Sequence, residues 1–293
     1  MLLTPDDFVN QNLLYCLGYS AQKYSIGLHA ISALSNHGHL AVTDTNGDCL
    51  QEFTRDFFSL VARSMNLYRD RSENFWASGR PNCVMVAPFQ DDIVDKLAYI
   101  ALNPVEAELV SHVRKWPGVN VSVHQKGLTE LVVERPSIFY SPEGSLPDRV
   151  ALRFTLPKAL DASPETLLRT LREEIERREA RVREDVKSRN RNFLGARRVQ
   201  QNSPDALPKS RLEKSEVEPT IACKKEQLRA AALRWKKAWQ ARYNELRQEL
   251  IEQAKDSRSV IFPIGSYAVW KWYGFERKPW EGCFWKMLIA GMT

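Results

Sequence analysis

Apolar residues first recur at helical spacing within 11–26, where Leu13, Leu14, Leu17 and Tyr24 line one side and Gly27 stops the pattern as a C-terminal glycine would. Two short runs follow, Leu28 to Leu34 and His37 to Thr43, of strand-forming length and joined at Ser35-Asn36. They read as a hairpin. The turn formers from Thr43 to Asp48 close it, and Asp48 or the residues just before it can cap a helix in which Leu50, Phe53, Phe57, Leu60, Val61 and Met65 repeat at threes and fours. Cys83 to Ala87 is a buried-strand pattern, and Asp91 opens a further helix that ends near Asn103, since Pro104 disfavours helical geometry in the residue before it.

The resulting order is helix, strand, strand, helix, strand, helix. With one more strand in front it would be a ferredoxin-like split βαβ arrangement, an α+β fold with two helices on one face of an antiparallel sheet. That first strand is expected to be missing or cut short. Beyond Trp116-Pro117-Gly118 the character changes: 119–133 and 149–156 alternate loosely as strands, and Ser163-Pro164-Glu165 starts a charged helix running to about Asn190. The proline-rich polar stretch 200–220 reads as a linker, and a second long helix spans 224–255. The expected division is therefore 1–118 as the principal domain, 119–199 as accessory strands and charged helix, 200–222 as linker, and 223–293 as a helix with an aromatic tail.

Composition sets bounds on function. The 293 residues are 43% apolar and 27% charged, a globular mixture, and no apolar run approaches the roughly 20 residues that cross a bilayer. A soluble protein without a membrane partner is expected. MLLTPDDFVNQ lacks the basic and apolar segments of a secretory signal, and the five cysteines are scattered, odd in number and without CxxC spacing, which points to reduced thiols in the cytoplasm. The net charge of +6 favours polyanionic partners. It is concentrated in 186–204, where Lys187, Arg189, Arg191, Arg197 and Arg198 occur with no acidic residue among them, either as a track for phosphates or as a solvated helix end.

Two segments carry candidate chemistry. On a strand, positions i and i+2 face the same way, so His37 and His39 of SNHGHLAV project together, and two imidazoles on one rigid face suit a divalent metal. By itself that spacing is more often two half-exposed histidines. In DDIVDKLAYIALNP, Ile93, Leu97 and Ile100 form the apolar stripe, while Tyr99 falls in line with Asp95 and Asn103 on the polar side. A tyrosine held out of the core beside an amide one turn on can serve as a nucleophile next to a metal ligand. Most exposed helical tyrosines do nothing of the kind. Asp91 and Asp92 suit a helix N-terminus and Asp95 a pairing with Lys96, and His29, His112 and His124 are read as structural or solvated.

Taken together, SNHGHLAVTD, ENFWAS and DKLAYIALNPVEAELVSHVRKWPGV resemble the signature segments of the single-tyrosine HUH transposases, the group that includes the REP-associated tyrosine transposases. NFLGARR continues the similarity weakly, and SVIFPIGSYAVWKWYGF resembles the tail of a long-form subset with an extended C-terminal region. The resemblance implies an HUH domain in which His37, His39 and Asn103 bind Mg²⁺ or Mn²⁺ and Tyr99 is the nucleophile. It also implies DNA transposition or recombination chemistry, with single-stranded or hairpin DNA cut through a 5′-phosphotyrosine intermediate and no nucleotide cofactor. Gly38 departs from the family pattern, where a large apolar residue is usual, and packing rather than chemistry should suffer.

DNA contacts are expected from Arg63, Arg69 and Arg71 on the second helix and from the run Lys187 to Arg198. The tail aromatics Tyr267, Trp270, Trp272 and Tyr273, with Lys271, are read as core or docking surface before DNA platform. Three matters stay open: whether the tyrosine works with its own chain's histidines or a partner's, whether the protein is a homodimer, and how the long helices pair. The rival readings are a catalytically inactive, domesticated or truncated DNA-binding derivative, to which the short N-terminus points, and a metal hydrolase that uses the two histidines alone.

Overall fold

The computed structural model describes residues 1–45, 49–77, 83–125, 130–138, 140–141, 143–206 and 220–252. The protein is α+β, and it divides into two compact units: Met1–Pro81 with Pro88–Val217, and Asn82–Ala87 with Glu218–Thr293.

The first unit opens with α1 (Asp7–Tyr24), capped by Asp6, whose carboxylate accepts from Val9 N at 2.8 Å. The helix ends at Ser25, in left-handed geometry at φ 55°, rather than at Gly27, which lies inside the following strand β1 (Ile26–Ala33). An antiparallel hairpin joins β1 to β2 (Gly38–Asp44), closed by Leu34 N donating to His37 O at 2.8 Å. Helix α2 (Leu50–Tyr68) takes its cap from Asp44 at the end of β2, which accepts from Cys49 N and Leu50 N at 2.8 and 2.9 Å. The sequence expectation places the cap at Asp48 or the residues just before it; Asp48 lies outside the described residues.

Helix α3 spans Gln90–Glu106 and carries Pro104 in its last turn. The sequence expectation of an end near Asn103 falls short by one turn. Proline here removes a single ladder bond, and the Pro104 carbonyl accepts from Leu109 N and Val110 N at 3.0 and 3.2 Å, which terminates the helix. A 3₁₀ turn at Val113–Lys115 leads to β4 (Asn120–Ser122), then β5 (Leu131–Glu134), β6 (Arg149–Leu152), α4 (Pro164–Ser188) and the short α5 (Ala196–Gln200). Ser163 caps α4 and Pro164 is its first residue, as the sequence implies.

The main sheet has the order β2-β1-β4, and β5 pairs with β6 separately. Alternation along β1 sends Ile31 and Ala33 into a core built with α1 and α2, while Ala30 and Leu34 join a second core built with α3 and α4. The sheet is thus covered by helices on both sides, α1 and α2 on one and α3 and α4 on the other, rather than by two helices on one face as expected. The charged helix expected as an accessory element supplies Leu167, Leu171 and Ile175 to the α3 core.

In the second unit β3 (Val84–Val86) pairs in parallel with β7 (Thr220–Ala222), and α6 (Glu226–Glu252) follows. The strand expected at Cys83 to Ala87 therefore exists, but it does not join the sheet that carries the histidines; β4 is the third strand there. Three residues with Val84 exposed make a poor central strand, and the sequence run was too short to show which partner it takes. Most of the linker and the aromatic tail, including Tyr267, Trp270, Lys271, Trp272 and Tyr273, lie outside the described residues.

Candidate active site

His37 precedes β2 and His39 is its second residue, so both imidazoles lie on the face that α3 covers. The register fixes this: His39 stands opposite Ser32 on β1, and Ser32 alternates with Ala30 and Leu34, which pack in the α3 core. The two rings are 5.2 Å apart between centroids and nearly perpendicular. Tyr99 on α3 closes against them, its ring 5.1 Å from that of His39 at 71°. Residues sixty positions apart in the chain are brought into van der Waals contact within one polypeptide.

Each member has the environment its chemistry would need. His37 Nδ1 lies 2.9 Å from Asn36 Oδ1, and donation to that acceptor leaves Nε2 free to bind a metal. Burial lowers the pKa of both histidines below the usual value near 6.5, and His37 lowers His39 further, which favours the neutral imidazole that metal binding would require. Tyr99 is 39% exposed whereas Asn103, one turn on, is 6% exposed. Two buried atoms here, His39 Nε2 and Asn103 Oδ1, have no hydrogen-bond partner among the described residues.

An imidazole nitrogen and a carboxamide oxygen are together a donor set that fits a hard or borderline divalent cation. Among the described residues no group of three or more His, Cys, Asp or Glu side chains is disposed to hold a metal. A metal site here would rest on two histidines and the amide.

The carboxylates nearby are engaged otherwise. Asp95 accepts from Arg178 Nη2 of α4 at 2.6 Å and lies 3.2 Å from Lys96 Nζ. Burial would raise its pKa, but the hydrogen bonds from Arg178 and Lys96 outweigh burial and hold it below the ordinary carboxylate range. Asp92 is buried in the first turn of α3. His29 is bonded to Thr155 O and Thr43 Oγ1 at 2.6 and 2.7 Å, His112 to Glu179 at 3.0 Å, and His124 is largely withdrawn from solvent.

The basic residues divide by side of the sheet. Arg63, Arg69 and Arg71 belong to α2 and the chain after it, across the sheet from Tyr99. Arg69 is bonded to Asp6 at 3.1 Å, and Arg71 to Glu73 at 3.1 Å. The 187–198 run lies on the tyrosine side: Leu194 N and Gly195 N donate to Glu108 O and Leu109 O, just past the end of α3, at 3.0 and 2.8 Å. Arg189 and Arg191 share the Glu108 carboxylate at 3.0 and 2.9 Å, while Lys187, Arg197 and Arg198 are exposed. Two surface grooves, one lined by Ala21, Ile26 and Arg153 and the other by Arg135, Tyr140 and Arg149, do not include the histidines or Tyr99.

Sequence reasoning did not single out Asn36 or Arg178. The adjacency of Asn36 to His37 was a usable signal, whereas Arg178 is one of many arginines in a charged helix and only the packing of α4 on α3 selects it. No protein-family model matches the chain, nor does any curated protein or any solved structure.

Proposed function

We propose that the protein is a metal-dependent DNA strand transferase or endonuclease of the HUH transposase type, with an HUH-like ferredoxin-related domain around the main sheet, cleaving single-stranded or hairpin DNA. The observation that carries this reading is the contact of Tyr99 with His39, and of His39 with His37, with the buried oxygen of Asn103, unpartnered among the described residues, one helical turn on from Tyr99. His37, His39 and Asn103 would hold Mg²⁺ or Mn²⁺. When bound, such an ion supplies charge stabilisation at a non-bridging phosphate oxygen.

The chain's own part is to place the phenol. Tyr99 Oη attacks phosphorus, the bond from phosphorus to the 3′-oxygen breaks, and the phenol proton passes to solvent as the departing 3′-oxygen gains one. The products are a 5′-phosphotyrosine and a free 3′-hydroxyl. Attack by another 3′-hydroxyl reverses the step and joins new ends without a nucleotide cofactor. Lys187, Arg197 and Arg198 offer phosphate contacts on the tyrosine side of the sheet.

The test is incubation of the protein with a pooled library of labelled hairpin oligonucleotides and Mn²⁺, followed by denaturing electrophoresis. A slow-migrating adduct that the Tyr99→Phe variant does not form, with retained hairpin binding by that variant, is the expected result. Absence of adduct from the whole pool, or an adduct that persists in Tyr99→Phe, overturns the reading. One observation favours the non-cleaving DNA-binding alternative: among the described residues β2, the strand carrying His39, has no neighbour on its outer side, and an open edge loosens the histidine platform. Hairpin binding without adduct is the outcome that alternative requires.

A further inference from the structure

The α3-facing surface of the main sheet is built mostly from small or apolar side chains, with Ser122 of β4 opposite Ala30, and one row across it is polar throughout. His39 on β2 stands opposite Ser32 on β1, and Ser32 stands opposite Asn120 on β4. Opposed residues in antiparallel pairs share a face, so the three side chains form a line beneath α3. At its far end Asn120 Nδ2 donates to the Ala101 carbonyl at 2.9 Å. Ala101 sits two residues after Tyr99 and two before Asn103. The row thus runs from the histidine strand to the helix backbone midway between the candidate nucleophile and the candidate amide ligand.

This arrangement is costly in its own terms. Ser32 is fully buried with its Oγ unpartnered, and Asn120 Oδ1 is buried without a partner among the described residues. Burying such groups is unfavourable, and an apolar side chain of similar shape avoids the penalty. The Asn120 bond lies next to the one ladder bond α3 lacks: Pro104 has no N–H to donate to the Ile100 carbonyl, the neighbour of Ala101. A polar bond of fixed length sets the position of a helix along a sheet more sharply than apolar packing, which tolerates small slides.

We infer that Asn120 is a positioning residue for the candidate site, holding the Tyr99–Asn103 turn of α3 in register with the histidines through the Ala101 carbonyl. The inference rests on the strand-transferase reading. It assigns Asn120 no contact with substrate or metal. It predicts that the row is kept at the expense of stability and that removing the bond shifts Tyr99 and Asn103 relative to His37 and His39 without unfolding the unit.

The experiment compares wild type with Asn120→Leu, which keeps the branched skeleton of the side chain, and Asn120→Ala, which decides the matter should the larger leucine variant fail to fold. Three quantities are read: melting temperature, Mn²⁺ affinity by electron paramagnetic resonance without DNA, and single-turnover adduct rate at saturating hairpin. The expected result is an unchanged or raised melting temperature, Mn²⁺ affinity lower by about tenfold, and an adduct rate lower by roughly 10- to 100-fold with hairpin affinity retained. Folded variants with wild-type Mn²⁺ affinity and adduct rate overturn it. So does a loss of rate that only tracks a loss of thermal stability, which is what a merely structural asparagine would give. Should wild type form no adduct, the strand-transferase reading fails on that arm, while the Mn²⁺ comparison still decides whether Asn120 places Asn103 beside the histidines. Wild type that binds no Mn²⁺ overturns the positioning role as stated.

Discussion

At the scale of single residues the candidate site is a set of polar groups left short of partners. Among the described residues Asn103 Oδ1 and His39 Nε2 are buried without hydrogen bonds, and each such group costs about 1–3 kcal/mol. Asn103→Leu should therefore raise the melting temperature of metal-free protein by a few degrees, about 1 kcal/mol or more, while abolishing the stabilisation that excess Mn²⁺ gives wild type by mass action. Thermal melts with and without Mn²⁺ check both halves. The identities of His37, His39, Tyr99 and Asn103 were legible as a pattern of two same-face histidines and a tyrosine off the apolar stripe. Their convergence was not, because no local periodicity states which strand a helix sixty residues away will cover. Only the family resemblance suggested it.

At the scale of elements, local rules located most helices and misplaced several ends. Ser163-Pro164 marked the start of α4 because capping is a matter of adjacent residues. Gly27 misled because Ser25 adopts the left-handed geometry two residues earlier, and Pro104 misled because a proline in the last turn forfeits little. The cap of α2 comes from Asp44, at the start of the turn stretch rather than at the residue next to the helix, because its carboxylate reaches Cys49 N and Leu50 N. Close approach of elements was also invisible. Gly18 on α1 lets β6 come near: a Cβ there would lie 2.8 Å from Val150 Cγ2 and 3.0 Å from Leu152 Cδ1. Gly18→Ala should cost about 1–3 kcal/mol by overpacking, against the small gain alanine normally brings to a helix. Urea unfolding measures it.

For the whole molecule, charge and titration set the operating range. Burial pushes His124 down to about 4, with Arg172 adding to the effect, and burial also lowers His29 against the opposing hydrogen bond to Thr155. Both are neutral when folded and take up a proton near pH 6.5 when unfolded. Stability is therefore full above pH 6.5 and falls as the pH drops from 6.5 towards 4, the His124 share amounting to about 3 kcal/mol at the acid end. His124→Gln should flatten the dependence of melting temperature on pH across that window. Sequence gave the net positive charge but not its partition, since Arg69 and Arg71 are held in ion pairs across the sheet from Tyr99 while Lys187, Arg197 and Arg198 are exposed on its side. The meeting of Tyr99 and His39 inside a single chain has a genetic corollary. Two defective alleles, one encoding Tyr99→Phe and the other His39→Ala, should not rescue each other when co-expressed, because no subunit of the mixture carries an intact set. Recovery of adduct in such a mixture would mean that the phenol of one molecule reaches the imidazoles of another.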